Sequence, residues 1–131
     1  MSNKLKHLDF IQSAIGRLAQ NSFLVKGWSI LSVSAVLAIA FRESSSAAPL
    51  LAILPTAMFW VLDSYYLAME RRYRRLYDSV IVKAEADIDF SMAHESDDLI
   101  VKEVFDAMWA ISNTLHYPTI VVILILTTAF F

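Results

Sequence analysis

A chain of 131 residues that is 57% hydrophobic and only 18% charged is more apolar than an ordinary soluble domain, in which about a quarter of residues carry charge. That length suits one unit and, once apolar spans are set aside, leaves no room for a separate globular enzyme or sensor domain. Cysteine is absent, which excludes disulfides, thiolate catalysis and cysteine metal sites, and the net charge of −2 says less than where the charges lie.

The first apolar run begins at Phe23, behind a polar, periodic stretch, so the N-terminus reads as retained and not as a cleavable signal sequence. Over residues 4–20, Leu8, Ile11, Ile15 and Leu18 follow helical spacing, widened by Phe10 and Ala14, with Lys6, Asp9, Gln12, Ser13 and Arg17 opposite. This predicts an amphipathic helix. It can lie in the headgroup plane or pack on other helices; the first is favoured because Lys4, Lys6 and Arg17 suit an anionic inner leaflet.

Residues 23–41 form an apolar run of about 19 residues, or roughly 28 Å of helix, close to the ~30 Å hydrocarbon thickness. Gly27, Ser29, Ser32, Ser34, Ala35 and Ala38 permit close helix approach. Ser29, Ser32, Ser34 and Ala38 could equally line a wetted pathway. A serine-rich turn at 42–48 leads to a second apolar run, 49–69, in which Pro49 suits a first helical turn. Pro55 removes a backbone bond inside it, as a static bend or as a hinge. Trp60 falls near mid-bilayer, where its indole needs a polar partner, with Ser29 near the mirrored depth.

Each run carries one charge within two turns of its end: Lys26 in the first and Asp63 in the second. In an antiparallel hairpin turning at 42–48, the midpoint between positions 26 and 63 falls within the turn, so the two charges share a depth. An ionisable residue in a span costs roughly 2.5–3.5 kcal/mol on insertion scales and marks a candidate functional site with a partner. Lys26 and Asp63 are therefore the central site candidates, as a functional pair or as an interfacial pair that fixes helix register.

After the second run come Glu70, Arg71, Arg72, Arg74 and Arg75. Four arginines beside a span place that end in the cytoplasm, and the turn, with only Arg42 and Glu43, outside. Leu76, Tyr77, Val80, Ile81 and Ala84 keep helical spacing, so the second helix is expected to continue to about position 84. The acidic segment 85–110 follows, containing Glu85, Asp87, Asp89, Glu95, Asp97, Asp98, Glu103 and Asp106 against the single base Lys102. Its spacing matches no EF-hand, which leaves a divalent-cation site at Asp87, Asp89, Glu95, Asp97 and Asp98 as the sharper reading and a solvated segment that pairs with the arginines as the simpler one. Residues 111–131 complete a third span, with Asn113, Thr114 and His116 at its cytoplasmic entrance and Pro118 bending it. The C-terminus is then external, unless the third segment is re-entrant or interfacial.

The fold class is thus an all-α helical membrane protein. His7, His94 and His116 are scattered over different elements, and there is no glycine-rich phosphate loop, GxSxG or HExxH pattern. No enzymatic activity, metal, cofactor or direct nucleic-acid contact is expected; His116 is the one histidine placed to act as a pH-responsive gate.

The segment His7-Leu8-Asp9-Phe10-Ile11-Gln12, with Ile15, Arg17, Asn21-Ser22-Phe23 and Lys26-Gly27-Trp28, resembles the opening of a group of small, mostly uncharacterised bacterial multi-pass membrane proteins, SLATT-like in general plan. The resemblance continues through Pro55, Phe59-Trp60, Leu62-Asp63, Glu70-Arg71, Leu76-Tyr77 and Asp87-Ile88-Asp89-Phe90-Ser91-Met92, nearly the whole chain. It implies an inner-membrane homo-oligomer that permeabilises the membrane as a pore-forming effector of antiviral (anti-phage) defence. It also implies a soluble sensor or nucleotide-signalling partner reaching the arginines Arg71, Arg72, Arg74 and Arg75. A non-conducting anchor that recruits a soluble partner through its cytoplasmic segment is the alternative. A transporter subunit is disfavoured, since no inverted repeat is visible.

Overall fold

The structure, a computed structural model, describes residues 2–93 and 99–131. Those residues form an all-α protein whose helices are α1 (Asn3–Glu43), α2 (Ala47–Leu51), α3 (Ile53–Ile81), α4 (Ile100–Met108) and α5 (Ile111–Phe130). Three helical stretches are long and apolar enough to cross a membrane: α1, α2 together with α3, and α5. Only 22–28% of their most apolar windows is buried within the chain. Phe23, Leu31, Leu51, Leu54, Met58 and Leu126 point outward, a surface suited to hydrocarbon and not to water.

α1 is one unbroken helix of 41 residues, about 61 Å long at 1.5 Å per residue. Ser2 caps its start by accepting the Leu5 N–H at 3.2 Å. Ser44 ends it in the left-handed region at φ 49°, and the Ser45 N–H then returns to the Ala40 carbonyl at 3.0 Å. Continuity through residues 20–23 corrects the expectation of a separate helix at 4–20 lying in the headgroup plane. The predicted stripe is real, but protein covers it. Ile11 and Ile15 pack with Val80, and Leu8, Tyr73, Leu76 and Tyr77 close around them. The second helix, running on past the arginines, supplies a partner surface that a stripe seen alone does not reveal.

The second span is jointed. Pro55 has no N–H for the Leu51 carbonyl, and the helix stops at Leu51 and restarts at Ile53. At the joint, Ala52 N–H bonds back to Ala48 and Pro49 carbonyls at 3.3 and 3.2 Å, and the Ala52 carbonyl accepts both the Thr56 N–H and its hydroxyl. The interruption therefore falls three residues before the proline, next to the Leu51 carbonyl that lacks its donor. α3 runs to Ile81, three residues short of the expected end.

α4 and α5 form one ascending path with a step at Ala110, whose backbone is extended. The carbonyls freed at the end of α4 find side chains: Trp60 Nε1 donates to Met108 at 3.0 Å and Asn113 Nδ2 to Ala107 at 3.2 Å. Trp60 is thus partnered by α4 and not by Ser29. Above the step, Val33, Ala52, Ile120 and Leu124 form a second apolar cluster.

Between α3 and α4 the chain folds back on the start of α1. The Glu85 carboxylate accepts the Asn3 and Lys4 N–H groups at 2.7 and 3.2 Å, where a helix N-terminus favours negative charge. His7 is fully buried, with Nε2 2.9 Å from the Ser91 carbonyl and its ring 5.6 Å from that of Phe90. Phe90 adopts φ 54° to make this turn.

Candidate functional site

Two apolar clusters bracket a polar layer built around Asp63. Helical spacing assembles it: Ser22 lies one turn before Lys26 on α1, and Asn113 one turn before Tyr117 on α5, so each pair shares a helix face. Asp63 on α3 is completely buried. Its Oδ2 accepts from Lys26 Nζ at 2.5 Å and from the Tyr117 hydroxyl at 2.8 Å, and its Oδ1 accepts from the Ser22 hydroxyl. Lys26 Nζ reaches Ser22 Oγ at 3.1 Å and Asn113 Oδ1 at 3.0 Å as well. The ammonium's three donors thus have three acceptors.

Further bonds extend the network. Asn113 Nδ2 donates to Ser64 Oγ at 3.1 Å, and Ser64 Oγ donates to the Trp60 carbonyl at 2.6 Å. Ser29 is buried, donates to the Lys26 carbonyl at 2.7 Å and lies 2.7 Å from His116 Nε2. With the serine proton committed, that nitrogen acts as the donor. The His116 ring also meets Tyr117 edge-on at 4.6 Å. All three long helices therefore converge on one neutralised pair. Its bonding is saturated, which suits a latch between helices better than a site with an open ligand position.

Lys26 and Asp63 are thus in direct contact, whereas Ser29, Ser32, Ser34 and Ala38 do not share a face. Ser29 turns into the polar layer, and Ser32 borders a cavity of about 20 Å³ with Val33, Pro55 and Thr56. Ser34 and Ala38 point outward with Gly27. Within one chain these residues cannot line a common pathway, because helical rotation separates positions 29 and 32 from 34 and 38.

The arginines are largely engaged with the chain itself. Arg72 is buried against Glu103, Arg75 holds the other oxygen of that carboxylate at 2.5 Å, and Arg74 pairs with Glu70 at 2.7 Å. Of these four, Arg71 is exposed and has no ion pair among the described residues. Burial pushes the Glu103 carboxyl up, but the Arg72 and Arg75 guanidiniums outweigh it and hold the group below its ordinary 4.5. The acidic segment thus uses Glu103 on the arginines and Glu85 on the α1 N-terminus. Among the described residues no group of three histidines or carboxylates could hold a metal. Asp87 and Asp89 lie in the strap, the segment 84–92 that folds back on the start of α1, where the Ser91 N–H bonds Asp89 at 3.0 Å and keeps its carboxyl below the usual range. His94, Glu95, Asp97 and Asp98 are outside the described residues.

Ser22, Ser64, Asn113, His116 and Tyr117 join the polar layer without having been placed there by the sequence. Asn113 and His116 read as entrance residues and Tyr117 falls unremarked within the expected third span, yet Asn113 and Tyr117 are fully buried on the ion pair. Their spacing of four, matching that of Ser22 and Lys26, was the available signal. No protein-family model, curated protein or solved structure matches this chain.

Proposed function

We propose that this chain is a homo-oligomeric effector of the bacterial inner membrane that forms or gates a permeation pathway and acts in anti-phage defence, with the pair of Lys26 and Asp63 as the latch of its closed state. The observation that carries the reading is the saturated ion pair inside apolar helices, bound to all three. A hairpin needed only for anchoring has no use for two charges at roughly 2.5–3.5 kcal/mol each. One chain encloses no path. The pathway therefore lies between copies, lined by the outward face of α1 that carries Gly27, Ser34 and Ala38, and no enzymatic step is involved.

Purified protein is expected to run as a defined oligomer and to leak dye from loaded vesicles. Asp63→Asn, which unlatches the pair, should raise leakage, and Ser34→Leu or Ala38→Leu should change it while the oligomer persists. Dye retention by both the parent and the unlatched protein at every density overturns the pore.

The anchor reading rests on a separate observation. The first turns of α1, the end of α3 and the strap at 84–92 pack into a stalk with its own apolar cluster. Such a stalk suits recruitment of a soluble partner. Loss of function on changing Arg71, with vesicles remaining tight, would favour it.

A further inference from the structure

Beside the ion pair, a groove between α1 and α3 opens onto an exposed apolar face of α3. Its cytoplasmic part, of about 280 Å³, is bordered by Arg17, Leu18 and Asn21 of α1 and by Tyr65, Met69 and Tyr73 of α3. The adjoining space, of about 570 Å³, is lined by α3 alone and is apolar in its side chains apart from Tyr65, running along Met58, Val61 and Leu62. Tyr65 borders both, and Met58, Val61, Leu62, Tyr65 and Met69 follow one face of α3, so the two adjoin along the outer surface. No carboxylate lines either part, and Arg17 is exposed without an ion pair among the described residues.

The dimensions match one lipid. From Tyr65 to Ala57 is eight residues of α3, about 12 Å, close to the ~15 Å depth of one leaflet's hydrocarbon. Arg17 sits six residues before the first apolar residue of the span, Phe23, about 9 Å outside it and at headgroup level. A guanidinium offers a phosphate two parallel N–H donors, and the Asn21 amide and Tyr65 hydroxyl stand beside it as further donors. Met58, Val61 and Leu62 are between 39% and 66% exposed, an apolar strip with no protein cover in this chain.

We propose that this groove is a binding site for one anionic phospholipid of the cytoplasmic leaflet, its phosphate held at Arg17 and Asn21 and one acyl chain lying along Met58, Val61 and Leu62. The site requires the membrane-spanning helices but not conduction, so it stands whether the assembly is a pore or an anchor.

The full chain in neutral detergent, titrated with phosphatidylglycerol, phosphatidylcholine or glycerol phosphate and read by native mass spectrometry, tests the assignment. One retained phosphatidylglycerol per chain is expected, preferred about fivefold over phosphatidylcholine, the ratio set by one cation near an anionic group. Arg17→Gln should erase that preference and Arg17→Lys should keep part of it. Arg42→Gln, which removes the same charge at the far end of α1, should leave it intact. Val61→Asn should weaken retention of both lipids, with helicity checked by circular dichroism. Equal retention of the two lipids by the parent protein, or a preference that survives Arg17→Gln, overturns the site. Glycerol phosphate that binds as tightly as the lipid overturns the acyl half and leaves a free-phosphate site.

Discussion

At the scale of single residues, Asp63 is the centre of the polar layer. It is fully buried and accepts from Lys26, Ser22 and Tyr117. Removing either charge strands the other, a loss of about 3–5 kcal/mol for a buried pair, whereas replacing both by apolar groups of similar size is often neutral. Asp63→Leu and Lys26→Met should therefore each lower the thermal stability of the detergent-solubilised protein strongly, and the double change should be milder than either. Additive losses in that cycle would mean that the two groups act independently. Tyr117→Phe removes one bond to a charged acceptor and is expected to lose about 1.5–3 kcal/mol. The smaller effect distinguishes a supporting donor from the pair itself.

At the scale of elements, α4 is held to α3 by the Glu103 carboxylate between Arg72 and Arg75. Because Glu103 titrates below its ordinary 4.5 in the folded protein, the stability it contributes is present above that ordinary value and is lost as pH falls through the lowered one. Amide protection over residues 100–108, relative to the intrinsic exchange rate at each pH, should thus be high at neutral pH and fall only in acid, below about pH 4.5. Glu103→Gln should exchange faster at neutral pH and lose the acid response. An unchanged profile in that variant would assign the docking of α4 to its apolar face and to the bond from Trp60 to Met108. The jointed second span follows similar local rules: its break at Ala52 traces to the donor that Pro55 lacks.

At the scale of the whole molecule, orientation rests on charge asymmetry, with four arginines at the end of the second span and only Arg42 and Glu43 at the hairpin turn. Single cysteines at Ser2, Ser45 and Ser91, and one appended after Phe131, should react differently with an impermeant thiol reagent in intact spheroplasts. Labelling is expected at Ser45→Cys and the C-terminal cysteine alone. Reaction at Ser91→Cys would invert the orientation, and a silent C-terminus would make α5 re-entrant. The polar layer lies between the arginine-bearing end of the second span and the apolar cluster of Val33, Ala52, Ile120 and Leu124.

By itself, the sequence determined the all-α class, three stretches long enough to span, the start of the third at Ile111 and the common level of Lys26 and Asp63. These follow from apolar run length, helical period and hairpin symmetry, all local or linear properties of the chain. Only the tertiary structure decided what covers the stripe at Ile11 and Ile15, where Asn113 and Tyr117 go, and that Arg72 turns inward to Glu103. The reason is physical: a period shows that a helix has an apolar face but not which surface meets it. A polar residue near a span end is equally compatible with headgroups or with a buried partner. That choice depends on the relative rotation and height of packed helices, which arise from contacts between residues as far apart as Lys26 and Asn113.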